Sequence, residues 1–146
     1  MEIPASLRAW FVVHSLVDIA VAVPLLLAPE ALLPRFGWQS VDPVASRLVA
    51  AALLAIGVQS WRGRNDGAAA YRAMLALKVV WSAAAIVALT IAIGRGAPPL
   101  TFGFLAMFLG FCGVWTYYAI RLRQLAQASD DPPEQDLAEG DTTEPT

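Results

Sequence analysis

The sequence has one cysteine and one histidine in 146 residues. A single chain of this kind cannot build a Cys₂His₂ zinc site, a bis-histidine haem, an iron–sulfur cluster or an internal disulfide. Charge is scarce too, at 15% of residues, where a soluble domain carries about 25%. Lysine occurs once, as Lys78, and asparagine once, as Asn65. No G-x-x-x-x-G-K, G-x-G-x-x-G or H-E-x-x-H occurs, so phosphate-loop, dinucleotide and zinc-protease readings have no support. No nucleophile–base–acid set is visible, because His14 lies in an apolar run beside Asp18.

What is present is apolar. Hydrophobic residues make up 58% of the chain and mean hydropathy is +0.57, above the about 45–50% apolar content of ordinary soluble domains. Crossing a bilayer as helix takes about 20 mostly apolar residues, and helix satisfies every backbone polar group within the segment. Residues 9–28, 44–61, 73–93 and 100–120 meet that length. Pro29, Pro34, Gly37 and Pro43 break the chain after the first span. Gly63, Asn65, Asp66 and Gly67 do so after the second, and Gly94, Gly96, Pro98 and Pro99 after the third. Residues 29–38 read as a short stretch lying in the interface, anchored by Phe36 and Trp38. Pro24, inside the first span, predicts a kink.

All ten basic residues precede position 124, while seven of the twelve acids follow it. A basic body thus carries an acidic tail. Arg8, Arg62, Arg64, Arg72, Arg121 and Arg123 flank one side of the spans; Arg35, Arg47 and Arg95 flank the other. Positive residues favour the cytoplasmic side, which predicts a multi-pass protein of the cell (inner or plasma) membrane with both termini cytoplasmic. The N-terminus makes a poor signal peptide, with one Arg in its basic region, a His and an Asp in its apolar stretch and no clean A-x-A site following it.

The fold expected is an all-α integral membrane protein: a four-transmembrane-helix bundle over residues 1–123, with a disordered acidic tail over 124–146. Its partners are the lipid bilayer and a homodimeric or other membrane-protein neighbour. Nucleic acid is not among them, since the basic residues sit at helix ends. No catalytic residue, cofactor or metal is expected.

Ionisable groups inside a span cost about 2.5–3.5 kcal/mol each on insertion scales and face the bundle interior. Counting from Arg8 and Arg72, Asp18 lies about 15 Å deep and Lys78 about 9 Å deep, at 1.5 Å per residue. A lysine stem spans that difference, so an Asp18–Lys78 ion pair is geometrically allowed, as a structural pair or as a proton or ligand site, and the sequence leaves open whether it forms. His14, four residues before Asp18, shares its helix face. Gln59 and Ser60 on the second span, Ser82 on the third, and Thr116, Tyr117 and Tyr118 on the fourth lie at the same end. The candidate polar site is therefore His14, Asp18, Gln59, Lys78, Ser82 and Tyr117. Ala51/Ala55, Ala84/Ala88/Ala92 and Ala106/Gly110 form stripes of small residues that suit close helix packing within a bundle or a dimer.

The run APEALLPRFGW-x-x-VDPVASRLVAAALLAIGVQSWRGR resembles the first connection and second helix of the DoxX-like small four-helix bacterial membrane proteins. The shared features are Pro29 ending the first helix, Gly37 ending the interfacial stretch, Asp42–Pro43 before helix two, and Arg47 opening it. The glycine often found soon after that arginine is replaced here by Ala50 to Ala52, and the acidic tail lies outside the pattern. The resemblance implies a fold and no activity.

Three functions remain open. The first is a non-enzymatic accessory or scaffold protein with a structural polar cluster. The second is a small dimeric proton-coupled transporter using Asp18. The third is a membrane redox or lipid-modifying enzyme.

Overall fold

The structure is a computed structural model, and it describes residues 3–130. It is all-helical: α1 spans Ala5–Leu27, α2 Pro29–Leu32, α3 Pro43–Arg62, α4 Ala68–Gly94 and α5 Leu100–Asp130, with 3₁₀ turns at Leu33–Phe36 and Gly63–Asn65. Four of these helices, α1, α3, α4 and α5, are long and apolar enough to cross a membrane.

The helix ends follow from local chemistry. Asp42 opens α3: its Oδ1 accepts from Val44 N at 2.9 Å and Ala45 N at 3.1 Å. Pro43 occupies the first helical position, where its missing N–H costs nothing. Ser46 Oγ donates back to Asp42 O at 2.7 Å. Gly96 closes α4 with φ +83°. Ala97 N bonds Ala92 O and Gly96 N bonds Ile93 O, both at 3.0 Å, the two-bond closure that favours glycine in the left-handed region. Gly37 ends the first 3₁₀ turn in the same region, at φ +98°.

Three helix boundaries differ from expectation. Helix α1 begins at Ala5 rather than 9, α4 begins at Ala68 rather than 73, and α5 runs to Asp130 rather than 120. Residues 124–130, expected to be disordered, are thus helical. Hydropathy marks where lipid could be crossed, while Ala, Gln, Leu and Arg extend a helix well beyond that length. The remainder of the expected tail, 131–146, lies outside the described residues.

The long helices pack as two hairpins. Helix α1 lies against α3, and α4 against α5. Gly57 allows the first pairing: a Cβ there would sit 2.9 Å from Asp18 Cβ and 3.3 Å from Ser15 O. The buried face of α3 is Ala50, Gly57 and Ser60, one position round from the expected Ala51/Ala55 stripe. Ala51, Ala55, Ala84, Ala106 and Gly110 are exposed and Ala92 is half-buried, while Ala88 faces the space between the hairpins, so these stripes do not form the helix contacts within the chain.

The hairpins join at the end that carries both termini. There Ile3, Leu7 and Phe11 of the N-terminal segment meet Tyr71 and Leu75 of α4 and Trp115, Tyr118 and Leu122 of α5. Phe11 is the keystone, with ring centroids 4.6 Å from Tyr71 and 5.7 Å from Trp115. Aromatic pairs of this kind contribute about 0.5–1.5 kcal/mol each beyond area burial. Tyr71 also donates its hydroxyl to Arg64 O at 2.6 Å, which holds the connection between the hairpins.

At the opposite end the first connection folds over the bundle. Arg47 reaches back from α3, its Nε donating to Leu26 O at 3.2 Å and its Nη2 meeting Glu30 Oε2 at 3.1 Å. Gly37 abuts Pro98, and the Trp38 and Phe104 rings lie 6.5 Å apart. Arg47, Gly37 and Trp38 thus hold this cap together.

Candidate functional site

Below the aromatic junction the two hairpins are bridged by polar groups. Lys78 is 2% exposed on α4. Its Nζ donates to Ser60 Oγ of α3 at 2.8 Å and lies 3.0 Å from His14 Nδ1 of α1. Rings flank it as well, with Phe11 at 5.1 Å and Trp115 at 4.9 Å from Nζ to centroid. Ring faces attract an ammonium most strongly where water is absent.

The directions of these bonds are fixed by proton counting. Ser60 has one hydroxyl proton, and it goes to Ile56 O at 2.6 Å. Ser60 must then accept from Lys78. An ammonium has donors and no lone pair, so His14 Nδ1 also accepts from it. The ring proton of neutral His14 then resides on Nε2. Phe111 and Trp115 hold the imidazole, with centroids at 4.7 and 5.1 Å and planes near perpendicular.

Asp18 is 5% exposed and completes the row. Its Oδ2 lies 2.9 Å from His14 Nδ1, yet no donor is aligned with that oxygen. The contact is close in distance and poor in direction, because the Nδ1 lone pair is already engaged by Lys78. A carboxylate oxygen is thus left without a hydrogen bond in a buried setting, an arrangement that costs about 1–3 kcal/mol or more for a charged group.

The Asp18–Lys78 ion pair that the sequence allows is not made among the described residues; His14 stands between the two. The roughly one-turn difference in depth is bridged by the imidazole rather than by the lysine stem. Among the other candidates, Ser82 is buried one turn beyond Lys78 and takes no part in the bonded row. Gln59 is exposed, and its neighbour Ser60 supplies the α3 contact. Tyr117 is 54% exposed and accepts from Arg121 Nη1 at 3.0 Å, while Tyr118 is buried in the junction. Ser60 was within view of the sequence reading, but Trp115 and Gly57 were missed. The sole signal for Gly57 was a glycine in mid-helix at three residues from Ser60.

From His14 and Asp18 toward the capped end, the hairpins separate around a cavity of about 620 Å³. Its walls are Val17, Val21 and Leu25 of α1, Val49 and Leu53 of α3, Trp81, Ala85 and Leu89 of α4, and Phe104, Met107 and Phe108 of α5. Leu32, Leu33, Phe36 and Trp38 close the far end. His14 and Asp18 are the two titratable residues in its lining. The expected interfacial anchors, Phe36 and Trp38, are therefore part of this lid.

Such an arrangement is able to hold an apolar body with one polar end, and to hold opposite charges in a row through a single imidazole nitrogen. Among the described residues, no three His, Cys, Asp or Glu side chains come together as a metal site. No family model, curated protein or solved structure matches the chain.

Proposed function

We propose that the protein is a multi-pass cell-membrane protein of the non-enzymatic, accessory kind, which holds a lipophilic molecule between its two hairpins. The observation that carries this reading is the cavity of about 620 Å³ with apolar walls and a buried carboxylate–imidazole end. Ligand sites have this volume and this mix of an apolar lining with few polar groups.

Placement in a membrane is supported by the outer faces. Leu16, Leu48, Val80 and Leu109, one on each long helix, are 58%, 66%, 68% and 53% exposed. Apolar surface on every side suits lipid and not water. The excess of arginines at the terminus-bearing end supports a cytoplasmic location for both termini. The exposed small-residue stripes leave surface on which a second copy or another membrane protein would pack. The DoxX-like reading belongs to the same proposal, at the level of fold.

The test is binding of a brominated alkane, 1-bromohexadecane, to the purified protein, read by tryptophan quenching; Trp38 and Trp81 line the cavity. Saturable quenching that weakens in Ala85→Phe, whose ring intrudes on the space, is expected. Quenching that rises without saturation and is equal in both proteins would remove the reading.

A second reading, proton-coupled transport through Asp18, is favoured by one observation: Asp18 is not in direct contact with Lys78 and borders the cavity. Proton uptake by proteoliposomes that survives Asp18→Asn would eliminate it.

A further inference from the structure

The cavity is open along its flank. Leu32, Leu33, Phe36 and Trp38 close its far end, and Phe111, His14 and Asp18 close its near end. Between those ends it is not enclosed, so the opening faces sideways, where the two hairpins diverge. With the membrane placement and the lipophile-binding reading above, on which this step rests, that opening faces bilayer lipid. The walls expose almost no polar surface. The unpaired Oδ2 of Asp18 is fully buried and does not face the space. The deep end thus gives a polar head almost nothing to bind, and an occupant with a head keeps it at the capped end.

The dimensions suit one chain in one leaflet. The wall runs from Leu100 to Phe111 on α5 and from Leu25 to His14 on α1, each about 16 Å at 1.5 Å per residue. Half of a hydrocarbon core about 30 Å thick is about 15 Å. At roughly 30 Å³ for a water-sized group, about 620 Å³ holds about twenty carbon-sized groups, one acyl chain and not two.

The capped end has spare positive charge. Arg47 is engaged by Leu26 O and Glu30, and the Asp42 carboxylate by the first turn of α3. Arg35 and Arg95 are exposed, and neither has an ion-pair partner among the described residues. Arg35 lies on the 3₁₀ turn whose Leu33 and Phe36 close the cavity. Arg95 ends α4, and the loop that follows it brings Pro98 against Gly37, at the end of that same turn. We propose that the cleft takes one acyl chain of an anionic phospholipid from the leaflet at the capped end. The methyl end of the chain lies toward His14 and Asp18, and the phosphate lies over Arg35 and Arg95. Guanidinium meets phosphate through parallel N–H bonds, and basic residues beside interhelical pockets recognise anionic heads in this way. A neutral lipophile would fill the walls and leave both arginines unused.

The experiment titrates the intact protein in detergent with two phospholipids that share a brominated acyl chain, a phosphatidylglycerol and a phosphatidylcholine, and reads tryptophan quenching. Saturable quenching by both is expected, with the phosphatidylglycerol about tenfold tighter, the effect of two arginines on a net negative head. Arg35→Gln combined with Arg95→Gln is expected to abolish that preference and leave phosphatidylcholine binding close to wild type. The comparison of heads in wild-type protein needs no variant. Bromines near the methyl end are expected to quench mainly Trp81, one turn beyond Lys78, and bromines near the glycerol mainly Trp38 of the lid, as read in Trp38→Phe and Trp81→Phe. The reverse pattern, or equal affinity for the two heads, would overturn the proposal. Saturable quenching by 1-bromohexadecane with none by either phospholipid would also overturn it, and would leave the lipophile-binding reading standing. Unsaturable quenching by all of these probes, with a lipid-free dimer in native mass spectrometry, would give the cleft to a second copy and remove both.

Discussion

Lys78 Nζ of α4 lies 3.0 Å from His14 Nδ1 of α1, and this contact joins one helical hairpin to the other in the polar row. It puts the only lysine of the chain in a setting of one imidazole, one hydroxyl and two aromatic rings. The carboxylate that balances its charge is one residue removed.

That relationship predicts an asymmetry between single and double substitutions. Lys78→Met leaves the Asp18 carboxylate buried without a cation, and a loss of about 3–5 kcal/mol is expected from stranding one member of a buried charged set. Lys78→Met combined with Asp18→Asn is expected to recover most of it. Thermal unfolding in a single detergent, followed by size exclusion, checks both. A Lys78→Met protein as stable as the parent would show that the row contributes nothing to holding the hairpins together.

Adjacent residues on α3 and α5 should behave differently. Ser60→Ala removes an acceptor from a buried ammonium and is expected to cost about 1–3 kcal/mol; Gln59→Ala, on the exposed side, should change stability by about 0.5 kcal/mol or less. Tyr118→Ala opens a hole in the aromatic junction and should cost about 3–5 kcal/mol, against a small change for Tyr117→Ala. The same unfolding assay ranks the four, and a reversed order within either pair would contradict the helix rotations described above.

These pairs also show how far the sequence could be read. The four spans were legible because bilayer-length apolar runs broken by Gly, Pro and Asn leave few other divisions. The depth of Asp18, His14 and Lys78 was legible from residue counting. Rotation about the helix axis was not. Ser60 and Gln59, or Tyr118 and Tyr117, differ by one position and so by about 100°, and a helix that is apolar nearly all round has no polar stripe to say which way it faces. The same ambiguity put the small-residue stripe of α3 on Ala51 and Ala55 instead of Ala50 and Gly57. Insertion of His14 between Asp18 and Lys78 depends on those rotations. The cavity was invisible for another reason: it comes from the divergence of two hairpins, a property of no single segment.

Gly57 offers a steric test of the first hairpin. Gly57→Ala places a methyl 2.9 Å from Asp18 Cβ and 3.3 Å from Ile19 Cγ1, so α1 and α3 must move apart, at about 1–3 kcal/mol. Gly110→Ala meets nothing within 4 Å and should be neutral or stabilising by about 1 kcal/mol, since alanine favours helix. Unfolding temperatures that fall equally for the two would argue against close packing at Gly57.

Arg47 ties the cap to α1 and α3. Its ion pair with Glu30 is 41% and 53% exposed, so the pair itself should contribute less than about 1 kcal/mol. The bond to Leu26 O is the stronger reason for an arginine here, because a lysine ammonium cannot serve carbonyl and carboxylate from one planar fork. Arg47→Lys is expected to raise amide hydrogen exchange across residues 28–42 while that of α4 and α5 stays constant. Unchanged exchange in the cap would dismiss the tie.

The division into hairpins bears on how the chain is made. The first hairpin leaves the ribosome with Asp18 already in place, and its cation arrives only with α4. Until then Asp18 has no cation of the polar row beside it, and the arrival of α4 removes that difference between the half-built and the complete protein. A gene divided at Gly67, where an added side chain would meet open space, should therefore yield a first fragment that is degraded when expressed alone and survives when the second is co-expressed. Pulse–chase turnover would report it, and replacing Asp18 by Asn should let the orphan fragment persist.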